Sequence, residues 1–146
     1  MNELTPFEKY EIIKAKCEEL KGVPYIWGGE NPKLGVDCSG FIQIVLREIN
    51  MDPPGDQTAQ MLYNYFVSKA GTVEDVLGCG SLVFYGKSVK HITHVAIMID
   101  TDRIYEAGGG GRECVSVDIA RKKNACVRIR PFGHRKDEVA VLRPQY

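Results

Sequence analysis

The chain changes character once, at Gly80, and that change restricts its architecture more than any other feature of the sequence. Before it, apolar residues recur at helical spacing; after it, they fall in short β-rich runs separated by turn residues. Thr5-Pro6-Phe7-Glu8 is a capping box with proline at the first helical position, and Phe7, Ile13, Cys17 and Leu20 continue as an apolar stripe until Gly22 and Pro24. Further helices are expected from about Ser39 to Asn50, on Phe41, Ile42, Val45, Leu46 and Ile49, and from about Asp56 to Lys69. Strands are expected at Leu82–Tyr85, His94–Asp100, Arg103–Ala107, Cys114–Asp118, Cys126–Arg130 and Val139–Leu142, with spacings that suit an antiparallel meander. Helices first and strands afterwards predict an α+β fold, the helices packed on one face of a curled, mostly antiparallel sheet rather than interleaved as βαβ units. A length of 146 residues, 44% of them hydrophobic, suits one domain spanning residues 1–146 around one core.

Nineteen basic and nineteen acidic residues cancel, so no overall field drives the chain onto nucleic acid or an anionic membrane, and neither is an expected partner. The charge is unevenly spread: residues 1–85 hold seven Lys/Arg against twelve Asp/Glu, and residues 86–146 hold twelve against seven. Five cysteines, at 17, 38, 79, 114 and 126, form no Cys-x-x-Cys pair, which argues against a disulfide framework and a zinc knuckle alike. Met1-Asn2-Glu3-Leu4-Thr5 lacks the features of a secretory signal, and no stretch approaches the ~18 apolar residues of a membrane span. A product that is cytoplasmic on synthesis is expected.

The segment richest in chemistry is Asp37-Cys38-Ser39-Gly40-Phe41, where an irregular glycine-bearing stretch turns into an apolar helix. A cysteine in a first helical turn sits among unpaired N–H groups at the positive end of the helix dipole, and both favour the thiolate. On position alone Cys38 is equally readable as a small buried filler. The other four cysteines have no such feature and read as filler. Cys114 and Cys126 lie in β-like runs, Cys17 on the apolar side of the first helix and Cys79 in a turn.

A cysteine nucleophile needs a proton carrier, and histidine suits that role near neutral pH. Of three candidates, His94 opens the apolar run Val95-Ala96-Ile97-Met98-Ile99 and would be held rigidly, whereas His91 lies in a polar loop and His134 in a turn.

Four blocks now stand in order: Tyr25-Ile26-Trp27-Gly28-Gly29, Asp37-Cys38-Ser39-Gly40-Phe41, Gly80-Ser81-Leu82-Val83-Phe84-Tyr85 and His94-Val95-Ala96-Ile97. In sequence and spacing they resemble the NlpC-type cell-wall peptidases, which are papain-like cysteine peptidases, over about Tyr25 to Gly111. Gln57 to Gln60 falls where that family has a short polar motif before its third helix. The resemblance implies a papain-like fold with Cys38 as nucleophile and His94 as general base. A third polar residue on the next strand, usually His, Asn or Gln, orients the imidazole; twelve positions beyond His94 this chain has Glu106 instead. A carboxylate there accepts the second ring N–H and raises the histidine pKa; an exposed strand-edge glutamate is the other reading. Tyr25 matches a family tyrosine beside the oxyanion site, or is an ordinary core aromatic. Asp37, Ser39 and Trp27 fall in the substrate pocket by the same resemblance, although Asp37 and Ser39 are equally capable helix caps. Ser81 replaces the family's usual aspartate, a departure that bears on turn stability. Gly108-Gly109-Gly110-Gly111 is expected to form a flexible hairpin beside the site, a substrate flap being the alternative.

The expected activity is therefore cleavage of peptide bonds in peptidoglycan stem peptides through an acyl-enzyme, with no metal or organic cofactor. Absence of an export signal and of a wall-binding domain would fit a phage product, delivered by a virion or tail or released by lysis, or an intracellular enzyme recycling wall peptides. The same scaffold also serves amide hydrolysis or acyl transfer on other substrates, and it can become an inactive binding or tail-assembly module. Ser81 and Glu106 leave both alternatives open.

Overall fold

The computed structural model describes residues 3–146; Met1 and Asn2, the start of the N-terminal segment read above, lie outside the described residues. Helix α1 (Pro6–Leu20) begins with the expected capping box: Thr5 Oγ1 accepts from the Glu8 N–H at 3.2 Å, and the Glu8 carboxylate accepts from the Thr5 N–H at 3.1 Å. It buries Ile13, Cys17 and Leu20, but Phe7 is 70% exposed. Six positions before Ile13 is about 240° round the helix, so Phe7 lies off the apolar stripe that buries Ile13, Cys17 and Leu20. After the hairpin β1 (Glu30–Asn31) and β2 (Gly35–Val36) come α2 (Cys38–Arg47) and α3 (Ala59–Val67), both shorter than expected.

The main sheet holds β3 (Val73–Glu74), β4 (Leu82–Gly86), β5 (Ile92–Met98), β6 (Arg103–Gly108), β7 (Cys126–Pro131) and β8 (Glu138–Arg143), all paired antiparallel in the order β3-β8-β4-β5-β6-β7. The expected meander holds from β4 to β7 and then fails. Rather than extend the sheet beyond β7, β8 returns to the far side of β4, pairing Leu82 with Leu142. That move covers an edge whose N–H and C=O groups would otherwise be unpaired next to a fully buried strand. A second correction falls on Cys114–Asp118, which is not a strand. Cys114 lies in a loop, and Val117–Lys123 forms helix α4. Ser116 caps it by accepting from the Ile119 N–H at 3.2 Å, Asp118 stands in its first turn, Arg121, Lys122 and Lys123 stand in its last, and Asn124 ends it in the left-handed region. Caps and dipole-matched charges outweigh the short β-branched run.

Helices α1 to α3 pack on one sheet face, against residues including Leu82, Phe84, Val95, Ile97 and Tyr105. The opposite face carries a smaller cluster of Val83, Tyr85, Ala96, Met98, Ile104 and Val141, with Phe132 packed against it. In α2 every residue from Cys38 to Leu46 is buried. Gly40 makes this enclosure possible, because a Cβ there would run into the Gly29 carbonyl oxygen and come within 2.9 Å of Asp37 Oδ1. Among the described residues no helix is long and apolar enough to cross a membrane.

Gly40→Ala is therefore expected to push α2 away from the 27–36 segment and to lower unfolding stability by about 1–3 kcal/mol. A urea titration checks this, and an unchanged midpoint would show that the segment yields without cost.

Candidate active site

Helix α2 starts at Cys38 because Asp37 caps it: Asp37 Oδ1 accepts from the Gly40 N–H at 2.7 Å and from Ser39 Oγ at 3.3 Å. Burial pushes the Asp37 carboxyl up, against those hydrogen bonds, which pull it down. Cys38 thus occupies the first helical position, where the backbone N–H has no partner within the helix and the dipole is positive. Its side chain faces a cleft of about 970 Å³ that Tyr25, Trp27, Asp37, Ser39, His94 and Glu106 also line. All seven residues singled out from the sequence are brought together there. His91 is elsewhere, exposed, with Nδ1 3.3 Å from Ser88 Oγ.

The centre of the site is a buried carboxylate. Glu106 on β6 is 1% exposed, which excludes the reading of an exposed strand-edge glutamate. Its Oε1 lies 2.8 Å from His94 Nε2, and its Oε2 accepts from Arg128 Nε at 3.1 Å, with the Arg128 Nη2 also at 3.1 Å. Burial alone would raise the Glu106 pKa. The His94 hydrogen bond and the charges of His94, His134 and Arg128 prevail and hold it down at about 2. An ionised carboxylate only accepts, so His94 Nε2 carries a proton and Nδ1 is the nitrogen left to serve Cys38. Burial of His94 works against its charged form. Side-chain interactions with Cys38 and Glu106 and their charges outweigh burial and push it up to about 9. Gly108, two residues along β6, leaves the room this needs, since a Cβ there would sit 2.8 Å from Glu106 Oε2.

Two members of the network were not recognised from the sequence. Arg128 faces Glu106 because β7 pairs them directly, a register that no local pattern encodes. His134, read as a turn residue, is half-buried at the cleft with Nε2 3.6 Å from Glu106 Oε1. Its Nδ1 is 3.2 Å from the Pro131 carbonyl, which fixes the proton on Nδ1. Burial lowers its pKa and the charges of Arg130 and Arg135 lower it further, against the Glu106 charge. With its proton engaged at Nδ1, His134 leaves His94 as the proton donor to Glu106 Oε1.

Tyr25 is buried, and burial together with the charges of Cys38 and Asp37 raises its pKa, so its hydroxyl stays protonated. Trp27 is 49% exposed at the rim, with the Arg112 guanidinium 5.7 Å from its ring centre. Buried Gln43 fixes the opposite rim: its Nε2 donates to Asp52 and to the Gly55 carbonyl, and its Oε1 accepts from the Gln57 N–H. Gln60 accepts from the Ile92 N–H at 2.8 Å and so ties α3 to the start of the histidine strand. The four-glycine run is not a hairpin. It leads from β6 towards α4, Gly110 lies against the Tyr25 ring, and the Gly110 carbonyl accepts from Lys123 Nζ at 3.2 Å. Ser81 is buried and holds its turn by donating to the Val76 carbonyl at 2.6 Å. Burial raises the pKa of Cys17, Cys79 and Cys114. Among the described residues no group of three or more His, Cys, Asp or Glu is placed to hold a metal ion. The arrangement brings a cysteine sulfur at a helix N-terminus, an imidazole bonded to a buried carboxylate and the Tyr25 side chain to one cleft.

The model of the NlpC/P60 family matches residues 22–130. The bifunctional muramidase/DL-endopeptidase CwlT of Bacillus subtilis (strain 168) is 33% identical over 104 residues, 70% of this chain and 30% of that protein. The chain spans about a third of the length of the first curated relatives it matches, 30% and 39%. Among solved structures, a lipoprotein-like NLP/P60 family protein from Staphylococcus aureus Mu50 superposes with a TM-score of 0.69 at 22% identity, covering 99% of this chain and 44% of that one. RipD from Mycobacterium tuberculosis, described as a non-catalytic NlpC/p60 domain protein adapted to peptidoglycan binding, gives 0.67 at 18% identity over 94% of this chain and 98% of that one. These two likenesses establish the papain-like α+β fold.

The network has a defined pH signature. His94 is raised above its ordinary 6.5, so its stabilising contribution is complete below that pH and is lost as pH rises through about 9. Glu106 is depressed below 4.5, so its contribution is complete above that pH and is lost as pH falls through about 2. The difference in unfolding free energy between wild type and Glu106→Gln should be widest between pH 4.5 and 6.5 and should shrink towards both limits. Denaturant titrations across pH measure it, and a flat difference would mean that the pair is not ionised.

Proposed function

The chain belongs to the NlpC/P60 family, and on that footing we propose that it is a cysteine endopeptidase that cuts peptide bonds in peptidoglycan stem peptides. The observation that carries this reading is the assembly of Cys38, His94 and Glu106 at one cleft, with the sulfur at a helix N-terminus and the imidazole held by a buried carboxylate.

In the proposed mechanism Cys38 Sγ attacks the scissile carbonyl carbon while His94 Nδ1 holds the thiol proton. The oxyanion that forms is met by the Cys38 N–H and the Tyr25 hydroxyl. Collapse breaks the C–N bond, and His94 hands its proton to the departing amine, leaving an acyl group on sulfur. His94 then takes a proton from water, the water oxygen attacks the thioester carbonyl, and the thiol is restored. Glu106 keeps Nδ1 directed at sulfur throughout and stabilises the imidazolium, while Arg128 keeps Glu106 in place. Asp37 and Ser39, beside the nucleophile, and Trp27 on the rim are the contacts for the acyl part of the substrate. RipD shows that a binding-only protein can have this fold, so the test must separate catalysis from binding.

Incubation with purified peptidoglycan followed by mass spectrometry should release peptide fragments. Cys38→Ala and His94→Ala should release none, and His91→Ala should behave as wild type. Glu106→Ala should lose about 10²-fold, the usual cost of a misplaced base. Glu106→Gln should lose less and move the alkaline limb of the pH profile lower, because the amide oxygen still meets His94 but no charge supports the imidazolium. Its amide NH2 would then face Arg128, so full activity is not expected. Binding of peptidoglycan without any released fragment would replace the peptidase reading with a binding module.

A further inference from the structure

The cleft carries more positive charge than the proposed chemistry uses. Arg128, Arg130 and Arg135 all line it, the first two on the same side of β7 by strand alternation. Arg128 is answered by Glu106, and Arg135 by Asp137, with Nε–Oδ1 at 2.9 Å and Nη2–Oδ2 at 2.8 Å. Arg130 is exposed and, among the described residues, pairs with no carboxylate. Asp37 and Asp56 line the cleft from the chain segments that lead into α2 and α3. Arg112 lines the cleft as well, but at the Trp27 rim, whereas Arg128, Arg130 and Arg135 come from β7 and the segment after it, and Arg128 meets Glu106, which bonds His94.

The direction of proton transfer says which part of the substrate meets these arginines. An amine expelled from the tetrahedral intermediate takes its proton from His94, so the leaving fragment lies on the histidine side of the sulfur. That side continues through Glu106 and Arg128 to Arg130. Resting on the peptidase reading above, we propose that Arg130, the guanidinium on this side of the cleft that no carboxylate neutralises, binds a free carboxylate on the leaving fragment. The preferred substrate then carries an ionised carboxyl group on the residue after the scissile bond. A guanidinium without a partner, on a rigid strand beside two guanidinium groups that already have theirs, is suited to a planar carboxylate and offers a neutral amide much less.

Two synthetic peptides test this: L-Ala-γ-D-Glu-L-Lys with a free C-terminal carboxylate, and the same peptide with a C-terminal carboxamide. Wild type should favour the acid by about tenfold in kcat/KM, mostly through KM, and the preference should shrink with added salt because Arg130 is exposed. Arg130→Gln should bring the ratio close to one, Arg130→Lys should keep part of it, and Arg121→Gln on α4, outside the cleft, should keep all of it. Equal rates in wild type, or an undiminished preference in Arg130→Gln, would overturn the proposal. Calorimetry with Cys38→Ala and the same two peptides separates this proposal from the one on which it rests. Tighter binding of the acid by a protein that never cleaves sinks the peptidase reading and keeps the subsite. Equal affinities overturn the subsite even in an active enzyme, and absence of both binding and cleavage overturns both.

Discussion

The rest of the structure is arranged around the enclosure of α2. Nine successive residues, Cys38 to Leu46, are buried, so this helix has no solvent face and its position is set on all sides by what packs against it. The sheet strands that carry His94 and Glu106 lie along it, the 27–36 segment closes over its first turn at Gly40, and the 52–58 segment is tied to it through Gln43. Such a helix can meet solvent at its ends alone: Arg47 is exposed at the C-terminal end, and the N-terminal end, where the backbone donors are unpaired and the dipole is positive, opens on the cleft. A sulfur at that end is held rigidly and is still reachable.

A second constraint follows from placing a carboxylate inside the sheet. Burial opposes ionisation of Glu106, so each oxygen requires a positive partner, and the two strands flanking β6 supply them: His94 from β5 to one oxygen, Arg128 from β7 to the other. The order β5-β6-β7 is therefore both a hydrogen-bonded sheet and the framework that keeps a charged network intact. Gly108 belongs to the same design, because a side chain at that position would occupy the volume the carboxylate uses. His134 approaches Glu106 as well, but its proton is engaged by the Pro131 carbonyl and nearby arginines disfavour a second one. This leaves His94 as the imidazole that donates to Glu106.

Around this centre the cleft is divided electrostatically. Carboxylates stand at the segments entering α2 and α3, and guanidinium groups stand on β7 and in the segment that follows it. The uneven charge along the chain, acidic before residue 85 and basic after it, is carried into the cleft: Asp37 and Asp56 come from the first part, and Arg112, Arg128, Arg130 and Arg135, with buried Glu106, from the second. Such an arrangement favours a dipolar peptide in one orientation over the reverse.

The sequence by itself determined the helices-then-strands order, the capping box at Thr5, the start of the buried helix at Asp37-Cys38 and the pairing of that cysteine with His94 rather than His91. Each of these is written in local spacing, in a cap, or in a run of motif residues. It misread the stretch around Cys114, where a β-branched run hid a helix whose Ser116 cap, acidic first turn and basic last turn were all present. What only the tertiary structure decided was β8 crossing to β4, the burial of Glu106, and the arrival of Arg128, Arg130 and His134 at the cleft. The physical reason is common to all of them. Which residue faces which across a sheet depends on register and strand order, and these are fixed by covering edges and neutralising buried charge over the whole fold, not by the few residues on either side.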